Sequence, residues 1–161
     1  MTQAFDAFQH QNILIVGDVM IDRYLTGKAN RISPEAPVPV VHLQSREHRL
    51  GGAGNVALNL QALGATPYLC SVTGADEDGD QLAALLSGHR LSGKGLARSK
   101  ERITTVKTRI IAASQHLLRV DNEDTHPLSK PEAGLLLDGI REILDSREIH
   151  AILFQDYNKG V

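Results

Sequence analysis

The feature that most constrains this chain is a short, unbroken apolar run, Ile13-Leu14-Ile15-Val16, stopped by Gly17-Asp18. A strand with apolar residues at every position is buried on both faces, which is the habit of parallel sheets covered by helices. Pro67 to Val72 reads as a second short strand, closed by Thr73-Gly74, and Ala151-Ile152-Leu153-Phe154 as another buried strand before Gln155-Asp156. Helical patterns separate them. Val56, Leu60 and Leu63 follow a 3.6-residue period, and Glu77 to Ser87 puts Leu82, Leu85 and Leu86 on one side. Ser129-Lys130-Pro131-Glu132 fits a capping box with proline in the first turn, leading to Leu136, Ile140 and Ile143. Strand alternating with helix predicts an α/β fold, a doubly wound sheet whose ligands sit at the carboxyl ends of the strands.

Two stretches break the rhythm. Arg31 to Leu43 carries Pro34, Pro37 and Pro39 among valines, so it reads as an edge strand or an extended flap. Ile103 to Ile111 alternates, with Thr104, Val106, Thr108 and Ile110 on one face and Thr105, Lys107, Arg109 and Ile111 on the other. A hairpin partner, His116 to Val120, follows. Together the insertions predict a small β-lid over the ligand edge.

With 161 residues, 42% hydrophobic, the chain has the size and apolar content of one globular domain. Its net charge of −2 comes from mixed acids and bases, with no basic patch for nucleic acid or a membrane surface. Met1 to Asn12 lacks an apolar signal core, and Cys70 is the single cysteine. A cytoplasmic location and no disulfide are expected. No cysteine–histidine cluster has zinc spacing, so the seven histidines are read as surface or core residues.

The candidate chemistry lies in Gly51-Gly52-Ala53-Gly54-Asn55, at the start of the first helical pattern. Glycines there let a ligand approach the backbone, and the helix amino end favours oxygen atoms or negative charge. Asn55 adds an amide that both donates and accepts. Asp18 and Asp22 follow the first strand, and Asp156 closes the last, all expected on one edge of the sheet. Carboxylates in that position accept hydrogen bonds from sugar hydroxyls, although a solvated loop or helix cap accounts for Asp18 equally well.

These residues resemble the ribokinase-like (PfkB) sugar kinases. The resemblance rests on Gly17-Asp18-Val19-Met20-Ile21-Asp22, Arg31 to Val40 and Gly51 to Ala57. It extends through Thr73 to Gly79, Leu118 to Asp121 and Asp156 to Gly160. The string Ile32-Ser33-Pro34-Glu35-Ala36-Pro37-Val38-Pro39-Val40 is similar to that of the heptose 7-phosphate kinases within the family. In many bacteria such a kinase is the N-terminal domain of a protein that also carries an adenylyltransferase.

The resemblance implies a ribokinase-like sheet and ATP-dependent phosphorylation of D-glycero-β-D-manno-heptose 7-phosphate at its anomeric hydroxyl, toward ADP-heptose for lipopolysaccharide. ATP and Mg2+ are implied with it, though no residue here is an evident magnesium ligand. By position, Asp22, Gly51, Gly52 and Asn55 hold sugar hydroxyls, and Asp156 helps organise the site. Lys107 and Arg109, on one face of the lid strand, are candidates to clamp the 7-phosphate, with Arg119 a third. A homodimer through the lid is a further expectation.

The family's late Asp-Thr-x-Gly-Ala-Gly-Asp segment, which supplies its anion hole and base, is absent from this sequence. Thr73-Gly74-Ala75-Asp76 follows an early strand and is not its equivalent, so no catalysis is assigned to Asp76. Residues 1–161 are therefore expected to form a partial kinase domain, with lid segments at about 23–49 and 103–121 and the C-terminal nucleotide-binding half missing. Such a fragment is expected to show no turnover alone. Two alternatives stay open: a non-catalytic sugar-phosphate-binding or lid-pairing module, and a sister kinase for another sugar.

Overall fold

The computed structural model describes residues 7–161, so the Met1–Asp6 part of the amino-terminal reading lies outside the described residues. Four strands form a parallel sheet in the order β5-β4-β1-β8: β1 (Asn12–Gly17), β4 (Thr66–Gly74), β5 (Gly95–Ser99) and β8 (Ala151–Gln155). Helices α1 (Ala53–Ala62) and α2 (Glu77–Gly88) cover one face and α3 (Lys130–Ser146) the other. The sheet is doubly wound, as the alternating pattern predicted.

Strand periodicity divides the core. Ile13, Ile15 and Leu69 point toward α1 and α2 and pack with Ala57, Leu60, Leu82 and Leu86. Leu14, Val16, Cys70 and Val72 point the other way, onto Leu136 and Ile143 of α3. The α3 capping box is complete, with Ser129 accepting from the N–H of Glu132 and the Glu132 side chain accepting from that of Ser129.

A second sheet has the order β3-β2-β6-β7, from β2 (Val19–Ile32), β3 (Pro39–Gly52), β6 (Val106–Ala112) and β7 (Gln115–Asn122). β2 runs antiparallel to β3 and parallel to β6. The roots of β2 and β3 (Val19, Ile21 and Leu50) belong to the main core, whereas their outer halves stand in solvent. The expected proline-rich edge proves to be the turn between two 14-residue strands, with Pro39 opening edge strand β3. β6 begins at Val106 rather than Ile103, because Thr104 gives its N–H and hydroxyl to Asp76 instead of to a neighbouring strand.

The reading of β8 as buried needs correction. It pairs with β1 alone among the described residues, and Phe154 is 77% and Ile152 49% exposed. No described element covers its outer side.

Candidate functional site

Asp18 follows β1 at the carboxyl edge of the parallel sheet, yet it is only 2% exposed. One carboxylate oxygen accepts from the N–H groups of Tyr157 (2.8 Å) and Lys159 (3.0 Å), and the other from Val161 (3.0 Å). Its carbonyl accepts from the N–H of Ala53 at 2.8 Å. Asp18 is therefore an internal anchor that ties the chain after β8 and the start of α1 to β1. The sequence-based sugar contact gives way to its structural alternative: a buried carboxylate with both oxygens engaged has little capacity left for a hydroxyl.

Asp22 is different. It lies on β2 opposite Arg49 of β3 and Lys107 of β6. Its Oδ1 accepts from Arg109 Nη1 at 2.5 Å, and its side chain is 21% exposed. Oδ2 lies so close to Gly51 that a Cβ there would meet it at 2.6 Å. Gly52 has φ of 57°, in the left-handed region, and packs against the Asp18 carbonyl at a distance that would leave a Cβ only 2.3 Å away. The glycine pair thus lets β3 turn into α1 directly beside Asp22. α1 has no side-chain cap and no acid in its first turn.

Asn55 is exposed on α1 and lines an open hollow of ≈ 330 Å³ with His48, Arg49, Leu58 and His89. Asp22 does not line that hollow, but Arg49 borders both places. Asp156 is exposed just beyond β8, its Oδ1 accepting from the N–H of Asn158 at 2.6 Å. Another hollow, ≈ 290 Å³, lies between α3 and the amino-terminal parts of β4 and β5, away from these residues.

The two cations expected to await a phosphate are already matched. Lys107 Nζ sits 2.9 Å from Asp121 and 2.8 Å from Glu123, which also takes Lys159 Nζ at 2.9 Å. Burial draws the Lys107 pKa down, but the two carboxylates outweigh it and hold it above the ordinary value. Arg109 is bound to Asp22. Arg119, 60% exposed, pairs with Asp121 at 3.0 Å. Lys107 and Arg109, the two cations expected to clamp a phosphate, thus each face a carboxylate of the same lid face, which a phosphate would have to displace. The signal lay in the alternation itself, which brings Asp22 and Asp121 to the face of Lys107 and Arg109.

Asp76 caps α2, accepting from Gly79 N–H (2.7 Å), Thr104 hydroxyl (2.7 Å) and Thr104 N–H (2.8 Å). Burial raises its pKa, while these donors and Arg98 more than reverse that and lower it. A carboxylate so occupied is a structural tie, not a base. Sequence reasoning missed Arg23, which bridges the second sheet to α2 by pairing with Asp78 and donating to His48 Nε2 at 3.1 Å. No group of three or more His, Cys, Asp or Glu side chains among the described residues converges as a metal site.

A model of the pfkB family of carbohydrate kinases matches residues 10–142. The bifunctional protein HldE of Helicobacter pylori strain P12 is 45% identical over 151 residues, which is 94% of this chain and 32% of that protein. HldE of Geobacter metallireducens is 43% identical over 93% of the chain and 30% of its own length. The chain thus spans about a third of these relatives. Phosphofructokinase-2 of Escherichia coli shares the fold, with a TM-score of 0.65 at 18% identity, covering 90% of this chain and 44% of that one. Ribokinase of Cryptococcus neoformans, solved in complex with ADP, has a TM-score of 0.50 at 21% identity, covering 70% and 36%.

Proposed function

The chain belongs to the pfkB family of carbohydrate kinases, and we propose that it supplies the sugar-binding part of an ATP-dependent heptose 7-phosphate kinase. The reaction proposed is phosphorylation of D-glycero-β-D-manno-heptose 7-phosphate at the anomeric hydroxyl, in the cytoplasm, toward ADP-heptose for lipopolysaccharide. The observation that carries this reading is Asp22, held by Arg109 through one oxygen with the other beside Gly51, where the glycine pair opens α1. The Ile32 to Val40 string and the 45% identity to bifunctional HldE support heptose 7-phosphate as the sugar.

In this reading Asp22 accepts from sugar hydroxyls, while Gly51 and Gly52 admit the ring close to the backbone. Asn55 and Asp156 flank the approach. ATP supplies the phosphoryl group. The described residues do not form a magnesium site, and no step is derived through that ion. Exposed Ile32, Val38, Leu118 and Val120 on and beside the second sheet support self-association through that sheet. No described helix is long and apolar enough to cross a membrane.

Calorimetric titration of the chain with heptose 7-phosphate, ribose 5-phosphate and fructose 6-phosphate tests the proposal. The heptose ligand is expected to bind most tightly, and Asp22→Asn to weaken it by about tenfold, the loss of one charge-assisted bond. Preference for a smaller sugar phosphate would overturn the substrate assignment.

A further inference from the structure

Resting on that sugar-site reading, we infer that Arg109 is a positioning residue for Asp22 and not a ligand of the substrate's phosphate. Arg109 donates from Nη1 to Asp22 Oδ1 at 2.5 Å and touches the carbonyl of Lys107 at 3.4 Å. Its guanidinium lies 5.3 Å from the centroid of the Tyr24 ring. Tyr24 stands on β2 between β6, which carries Arg109, and β3, which carries Arg49. Arg49 lies 4.6 Å from the same ring and is itself gripped by both oxygens of Glu47, at 2.6 and 2.9 Å. The aromatic ring and the acid together define one place for the Arg109 side chain.

The two oxygens of Asp22 are consequently unlike. Oδ1 is committed to Arg109, whereas Oδ2 has no hydrogen-bond donor among the described residues and abuts Gly51. A fixed Oδ1 sets the plane of the carboxylate, and hence the direction in which Oδ2 meets a hydroxyl. A phosphate dianion that captured Arg109 would take from Asp22 the one cation that forms an ion pair with it among the described residues and leave two like charges adjacent, which disfavours that arrangement.

The role also predicts that lysine substitutes poorly. Guanidinium holds a planar carboxylate and lies against a ring, whereas an ammonium is a point charge.

The experiment compares binding of D-glycero-D-manno-heptose 7-phosphate and of the unphosphorylated heptose to the full chain and to Arg109→Met, Arg109→Lys, Asp22→Asn and the Met/Asn double variant. Arg109→Met is expected to weaken both ligands by the same factor, about tenfold, and to add nothing in the Asp22→Asn background. Arg109→Lys is expected to give a smaller, equally shared loss, and it is the variant to read if Arg109→Met does not fold. A loss confined to the phosphorylated sugar, or losses that multiply in the double variant, would overturn the positioning role. Should the parent bind neither ligand, or Asp22→Asn bind both as well as the parent, the sugar-site reading itself falls.

Discussion

Replacing Glu132 with Gln tests how the start of α3 and the chain beyond β8 are held together. Glu132 and Arg102 are 3% and 4% exposed, and Arg102 Nε donates to Oε1 at 2.8 Å. The remaining guanidinium nitrogens reach the carbonyls of Lys159 at 3.0 Å and His126 at 3.3 Å, while the N–H of Ser129 binds Glu132 Oε2 at 2.8 Å. Burial alone would raise the Glu132 pKa. Donors from Ser129, Ser99 and Arg102 outweigh it and bring the value from 4.5 down to about 2. At roughly 1.36 kcal/mol per pH unit, the ionised group contributes about 3 kcal/mol at neutral pH.

Because the folded-state value is the lower one, that contribution is complete above pH 4.5 and is lost as the pH falls toward 2. Glutamine lacks it at every pH and strands a buried cation, a change that costs about 3–5 kcal/mol in buried pairs. The variant is expected to be less stable by about 3 kcal/mol at pH 7, with the gap narrowing to roughly half by pH 3. Urea unfolding followed by circular dichroism at both pH values measures it. A gap below about 0.5 kcal/mol at pH 7, or one that does not change with pH, would refute the reasoning.

The β6–β7 connection places Ala113 and Ser114 at φ 48° and 62°, the positive values a two-residue type I′ turn requires, without the residues that adopt them easily. Ala113→Asn with Ser114→Gly is expected to raise stability by about 1 kcal/mol in a thermal melt, and a lower melting temperature would contradict that account. Cys70 is fully buried, and burial pushes its thiol pKa up to about 11. The folded chain at pH 8 is expected to resist a thiol reagent that labels the urea-unfolded chain within minutes; equal rates would show the site to be open.

The parallel sheet was legible where packing is two-sided. β1 is a continuous apolar run and β4 a mostly apolar one because both faces meet helices, and α3 announced itself through Ser129, Pro131 and Glu132. β5 escaped notice, since Gly-Leu-Ala-Arg-Ser has neither an apolar run nor an alternation. Within the expected lid segment, the extent of β2 and β3 was not legible, for another reason. With solvent on both sides, Arg46, Glu47, His48 and Arg49 carry no hydrophobic period, and bulges after Thr26 and Ala29 interrupt what register there is.

The candidate site was half legible. Asp22 and Gly51 are neighbours on adjacent strands, a closeness that the β2–β3 register creates. Asp18 was ambiguous because its partners, the N–H groups of Tyr157, Lys159 and Val161, arrive from the far end of the sequence. A carboxylate's availability depends on such distant donors, and no local motif reports them.

The pairing of β1 with both β4 and β8 carries a consequence for biosynthesis. Translation delivers β8 more than a hundred residues after β1, at about 5–20 residues per second. For something on the order of ten seconds, the central strand waits on the ribosome with one flank open. During that interval its unpaired backbone edge is open to chaperones and to other nascent chains, the kind of exposure through which a strand awaiting its partner aggregates.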